Sequence, residues 1–307
     1  MNIGNCYPLN GKIETEALSV VILQMGPALG ASSPQDVDRN IDKVFEFLDR
    51  ASYGLPGYDL ALTPEIVLNG FAPEFYLSAL TLGSSQIRRL KEKCAALQIW
   101  GVFGVLVDLE DGIFPRNCAL TINPDGEVAN LYVKTTPWIP VEPFTPGDEI
   151  QVFDGPKGAR MATIICSDGD YVDAWSEAAH KGANVICRIS DYMTPYQDAY
   201  EITNRAGAYF NRTYVLATNS AEMDECFCLF GRSMVVGPDG NVISQAPEGQ
   251  PYILKADIYP GLADHIQRQS FMGNLKWQGH HRGASSPETR GVGRDKSMYQ
   301  FLGNARL

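Results

Sequence analysis

Apolar runs alternate with amphipathic stretches along most of the chain. Leu18 to Met25, rich in Val and Ile, predicts a first strand. From Asp36 to Ala51 the apolar residues Val37, Ile41, Val44, Phe45 and Leu48 recur at helical spacing and make one apolar face. Tyr58 to Thr63 predicts a short strand that Pro64 stops, Ser84 to Leu97 a second helix, and Ile99 to Leu109 a long strand. Cys118 to Ile122 and Val128 to Lys134 flank Pro124-Asp125-Gly126-Glu127, where Pro and Gly supply the dihedrals of a hairpin turn. A similar unit returns at Gly231 to Val236, Pro238-Asp239-Gly240-Asn241 and Val242 onward. Between the two hairpins the pattern predicts strands over 160–166, 184–188 and 212–219 and helices over 172–181 and 194–209.

This order predicts an α/β sandwich of duplicated character, with two mixed sheets face to face and helices outside. No linker rich in Gly, Ser or Pro divides the chain. Residues 1–307 therefore read as one domain, with an N-terminal arm at 1–16 and a C-terminal arm at 284–307 suited to wrapping a partner subunit.

Composition narrows the class. Of the 307 residues 45% are hydrophobic, the share of a packed globule. The longest apolar stretch, Ile99 to Val107, is too short to span a bilayer, so no membrane passage is expected. Met1 to Glu16 lacks the apolar core of a signal peptide, and a cytoplasmic location is expected. A net charge of −11 without a run of Lys or Arg argues against nucleic acid as a partner. The seven cysteines, Cys6, Cys94, Cys118, Cys166, Cys187, Cys226 and Cys228, are odd in number and irregularly spaced. Without paired C-x-x-C units they fit neither a zinc ribbon nor a disulfide scaffold, and most read as core thiols in a reducing compartment.

Three reactive residues each stand at the end of an apolar strand: Glu65 after Leu60 to Pro64, Lys134 after Leu131 to Val133, and Cys166 after Ala162 to Ile165. Ligands of open α/β sheets gather at the carboxyl ends of strands, so the three are candidates to converge. Cys166 precedes Ser167-Asp168-Gly169-Asp170 and a predicted helix, whose dipole favours a thiolate, and Gly169 is expected to allow the sharp turn. Glu65 would take the thiol proton, and Lys134 would face the oxyanion formed when a thiolate attacks a carbonyl. Other schemes lack their motifs: there is no G-x-S-x-G, H-E-x-x-H or G-x-x-x-x-G-K-[ST]. Of the four histidines, His280 and His281 leave a Cys–His pair open as an alternative.

These residues, in this order, resemble the nitrilase superfamily, within it the branch of aliphatic amidases and formamidases. The resemblance runs from about Leu18 to Gly283. It rests on Pro64-Glu65, Tyr132-Val133-Lys134, Pro137-Trp138 with Glu142 and Pro146-Gly147, and Ile164-Ile165-Cys166 with Ser167-Asp168-Gly169. Lys181-Gly182-Ala183, Arg188 to Tyr192, Thr203-Asn204-Arg205 and His281-Arg282-Gly283 add to it.

The resemblance implies a four-layer αββα fold that associates as a homodimer or larger homo-oligomer. It implies hydrolysis of a small amide through a thioester on Cys166, with no metal or organic cofactor. Glu65, Lys134, Cys166 and Glu142 would be catalytic, with Glu142 orienting the substrate or the attacking water. Trp138 and Tyr192 would wall the acyl pocket, and Ser167 would lend its backbone N–H to the oxyanion. Ser167, Asp191 and Ala284 depart from the usual residues of the branch, which bears on acyl preference. A carboxylate at 191 would favour a substrate carrying a positive group if it faced the pocket, but Asp191 reads first as a surface residue. Alternatives are a nitrile or N-carbamoyl amine hydrolase, a non-catalytic binding or assembly protein, and a thiol redox protein. The last lacks a resolving cysteine near Cys166 in sequence.

Overall fold

The first strand, β1 (Leu18–Gln24), is buried at every position. Val20 and Ile22 pack toward the other sheet, while Val21 and Leu23 join the core beneath the helices. A strand buried on both faces reads as a continuous apolar run, which is why it was legible. The computed structural model describes residues 15–139, 141–223 and 227–269.

Helix α1 (Val37–Gly54) follows and buries Val37, Ile41, Val44, Leu48 and Ala51. Then come β2 (Leu60–Leu62), α2 (Ser85–Leu97), β3 (Trp100–Val107), β4 (Arg116–Ile122) and β5 (Val128–Val133). Helix α2 is capped by the Ser84 hydroxyl, which accepts from the Ile87 N–H at 3.3 Å. The turn joining β4 to β5 is closed by Asn123, whose side chain accepts the N–H groups of Asp125 and Glu127 at 3.0 and 2.9 Å.

The second half holds β6 (Val152–Asp154), β7 (Arg160–Ile165), α3 (Val172–His180), β8 (Val185–Ser190), α4 (Gln197–Asn211) and β9 (Tyr214–Asn219). A small hairpin of β10 (Ala221–Met223) and β11 (Cys228–Phe230) precedes β12 (Met234–Val236) and β13 (Val242–Gln245). Strand β14 (Tyr252–Ile258) and helix α5 (Pro260–Gln269) complete the described chain.

The two six-stranded sheets have one plan. The first runs β14-β1-β2-β3-β4-β5 and the second β6-β7-β8-β9-β12-β13. Each centres on three parallel strands, flanked by an antiparallel hairpin on one side and a single antiparallel strand on the other. Helices α1 and α2 cover the outer face of the first sheet, and α3 and α4 that of the second. The layers are thus helices, sheet, sheet, helices, as expected.

The short strands β6, β10 and β11, strand β14 and helix α5 were not anticipated. Three-residue strands carry no readable period, and β14 places Lys255 and Asp257 among its apolar residues at a sheet edge. Of the expected arms, only Thr15 and Glu16 are among the described residues. Cys6, Cys226, His280, His281 and Ala284 lie outside them.

Candidate active site

Glu65 is placed by the chain leaving β2. The Thr63 hydroxyl donates to the Val102 carbonyl and accepts from the Gly104 N–H, each at 3.2 Å, which lays the loop across β3. Gly104 is required there: a Cβ on it would lie 2.1 Å from the Pro64 carbonyl oxygen and 2.7 Å from the Ile66 nitrogen. The chain then turns at Ile66, whose φ is +46°. Glu65 is 1% exposed. Its Oε1 accepts from Lys134 Nζ at 2.8 Å and Asn117 Nδ2 at 2.7 Å, and its Oε2 from the Asp191 N–H at 3.0 Å. Burial raises the Glu65 carboxyl above its ordinary range, and the nearby Glu142 charge raises it further against the opposing pull of Lys134.

Lys134 follows β5, its backbone held between the Asn117 carbonyl at 2.9 Å and the Gly147 N–H at 2.8 Å. Its ammonium lies between two carboxylates, bonding Glu65 at 2.8 Å and Glu142 Oε2 at 2.7 Å. Burial opposes that charge, but Glu65, Cys166 and Glu142 together outweigh it and hold the ammonium well above the ordinary lysine range. Glu142 also accepts the Trp138 N–H at 2.6 Å and Asn117 Nδ2 at 3.1 Å. Asn117 thus ties the two carboxylates together.

Cys166 is half-buried and opens a five-residue 3-10 turn, Cys166–Asp170, with a φ of +47° at Cys166 itself. Helix α3 begins at Val172, after this turn, as expected. One expectation changes here. Gly169 does not make the turn; it leaves room for a guanidinium, since a Cβ there would lie 2.3 Å from Arg188 Nε. Burial and then Glu65 push the Cys166 thiol well above its ordinary value, while Lys134 and Arg188 pull it down.

Asp168 locks this turn to the loop after Lys134. It is fully buried and accepts from the Tyr132 hydroxyl at 2.7 Å, the Thr135 hydroxyl at 2.9 Å, and the N–H groups of Thr136 and Ile165 at 2.7 and 2.9 Å. Beside it, the Ser167 hydroxyl donates to the Thr136 carbonyl at 2.6 Å. The strand ends and the loop after Lys134 therefore bring the buried Glu65, Lys134 and Glu142 and the half-buried Cys166 into one electrostatically linked group.

The structure places the remaining named residues as follows. The Tyr192 hydroxyl accepts from Arg188 at 2.7 Å and donates to Asp170, and its ring packs on Tyr200. Trp138 contributes its backbone to Glu142, while its indole is 40% exposed beside Phe227. Asp191 is not at the surface: it is 6% exposed, and its N–H holds Glu65. Asn117 and the structural roles of Asp168 and Arg188 were missed. A signal was there for two of them, since Asn117 and Arg188 are strongly polar side chains in strands buried at every position. Among the described residues, no group of His, Cys, Asp or Glu is arranged to hold a metal ion.

Two face-to-face mixed sheets, with a buried carboxylate and ammonium at their strand ends and the Cys166 thiol beside them, are the arrangement expected of the nitrilase superfamily. Residues 20–268 match the carbon–nitrogen hydrolase profile, and the chain belongs to that family, whose members cleave carbon–nitrogen bonds. It is 35% identical over 254 residues to a formamidase of Photorhabdus laumondii, a match covering 81% of this chain and 75% of that one. It is also 35% identical over 245 residues to a formamidase of Bacillus cereus, covering 78% and 74%.

Solved structures share the fold. A Saccharomyces cerevisiae protein of branch 10 of the nitrilase superfamily aligns with a TM-score of 0.74 at 21% identity, covering 84% of this chain and 96% of that one. An amidase from a Nesterenkonia species aligns at 0.71 and 22% identity, covering 85% and 96%. A variant of that amidase, aligning at 0.71 and 21% identity over 87% and 100%, carries the acetamide moiety of fluoroacetamide on its active-site cysteine.

Proposed function

We propose that this protein hydrolyses formamide or another short aliphatic amide to the carboxylic acid and ammonia through a thioester on Cys166. The observation that carries the reading is the Lys134 ammonium held between the buried carboxylates of Glu65 and Glu142, with all three acting on the Cys166 thiol. Glu65 takes the thiol proton, sulfur attacks the amide carbon, and the carbonyl π pair moves to oxygen beside Lys134 and the Ser167 N–H. Glu65 returns the proton to nitrogen as the C–N bond breaks and ammonia leaves. It then takes a proton from water, which opens the thioester, and the thiol is restored. The formamidase relatives support a small acyl group.

Ammonia release from formamide, acetamide, propionamide, a nitrile and an N-carbamoyl amine tests the proposal, with Cys166→Ala as control. Turnover of at least one simple amide, lost in the control, is expected. Activity confined to the nitrile or the carbamoyl compound would overturn the substrate class.

We also propose a cytoplasmic homodimer. The described cysteines are free thiols, which suits a reducing compartment, and no described helix is long and apolar enough to cross a membrane. Val172, Ile202 and Phe210 stand more than half exposed on α3 and α4, the outer helices of the second sheet, which supports pairing of two copies through that layer.

A further inference from the structure

Arg188 is the largest fully buried side chain of the described residues, and it lies in the middle of apolar strand β8. Its nearest carboxylate oxygen, on the 45% exposed Asp170 side chain, is 3.5 Å away. The other acceptors are neutral. Nε and Nη2 both donate to the Cys166 carbonyl, at 3.2 and 2.8 Å. Nη1 donates to the Thr203 hydroxyl at 2.7 Å and Asn204 Oδ1 at 3.1 Å, and Nη2 to the Tyr192 hydroxyl at 2.7 Å. Three aromatic rings, of Trp175, Tyr192 and Tyr200, surround the guanidinium at 5.7, 4.9 and 5.4 Å from their centroids. A buried cation without a close buried counter-charge is a poor device for stability. Here it is aimed with a two-donor fork at one carbonyl, that of the nucleophile.

That carbonyl belongs to the Cys166–Ser167 peptide. The described cis peptide is Thr194–Pro195, so this one is trans. In a planar trans peptide the C=O and the N–H point in opposite directions, and a charge that draws electrons from the oxygen strengthens the N–H as a donor. Arg188 grips the carbonyl edge, and on the other side Ser167 bonds Thr136, in the loop that follows Lys134. We propose that Arg188 is a positioning residue for the oxyanion: by clamping the Cys166 carbonyl, it orients and polarises the peptide whose Ser167 N–H receives the negative oxygen. This rests on the amide-hydrolysis reading and names a part of its machinery. Gly169 supports it independently, since any side chain there would enter the space of the guanidinium.

The test compares two reactions of Cys166. Amide hydrolysis builds an oxyanion; alkylation by iodoacetamide displaces iodide at a saturated carbon and builds none. Arg188→Lys keeps the charge but loses the fork, and Gly169→Ala displaces the fork without touching Arg188. In both, kcat/KM for the best amide is expected to fall about 10- to 100-fold further than the alkylation rate at the same pH, with KM little changed, as for a weakened oxyanion donor. Circular dichroism confirms the fold, and either variant alone suffices. Equal losses in the two reactions, or no loss in either, would overturn the proposal. A wild-type protein that alkylates rapidly but releases no ammonia from any amide would instead overturn the reading on which it rests.

Discussion

At the scale of the residue, the site turns on the cost of burying charge. Glu65 is held above the ordinary carboxylate value of 4.5 chiefly by burial. The fold therefore favours its protonated form: that contribution to stability is complete below the unfolded value and is lost as pH rises through the raised folded value. The proposed reaction needs the other form. The acid limb of kcat/KM is expected above pH 4.5, and Glu65→Gln, which cannot take a proton, is expected to abolish turnover; a limb at or below the ordinary carboxylate value would contradict this. Asn117 is the second lever, because its amide touches both Glu65 and Glu142. Asn117→Ala removes two hydrogen bonds to charged groups and is expected to cost about 2–4 kcal/mol of stability, read from urea unfolding, and at least about tenfold in kcat. Nothing in the sequence of β4 named Asn117 as a partner of both glutamates; that knowledge needs the fold.

Elements place these groups more than local propensity does. Glu65, Lys134 and Cys166 could be named because each ends an apolar run, and polar residues at such ends are exceptions to the pattern around them. Glu142 sits on a loop and Asp168 inside a tight turn, where periodicity is silent; only the resemblance pointed to Glu142, and the role of Asp168 went unread. The turn at Cys166 shows why local reasoning stopped short: the positive φ falls on Cys166 itself, while Gly169 is reserved for a side chain arriving from β8. Gly104 plays a comparable part under Glu65. Gly104→Ala is expected to shift the Glu65 loop and lower kcat/KM by about 100-fold, since small misplacements of reacting groups are that costly. Gly83→Ala, where an added Cβ meets nothing within 4 Å, serves as the control and is expected to keep activity. Equal activity of the two variants would show that the approach of β3 to the Pro64–Ile66 backbone does not position Glu65.

At the scale of the molecule, the duplicated plan of the two sheets explains where the site lies. Glu65 follows β2 and Asp191 follows β8, the middle parallel strands of the two sheets, and the two meet through the Asp191 N–H. The duplication was readable from the two Pro-Asp-Gly hairpins, but its closing strand β14 was not, because its partner β1 lies more than two hundred residues earlier. For the proposed dimer, Phe210→Glu is expected to halve the mass measured by light scattering, and an unchanged mass would move the contact elsewhere. The most direct measurement of the whole account is the intact mass of the protein quenched in acid during turnover of acetamide, followed by peptide mapping. The account predicts one acetyl group, lost on mild alkaline treatment and located on the peptide carrying Cys166. Turnover with no acyl adduct, or with the adduct on another residue, would contradict it.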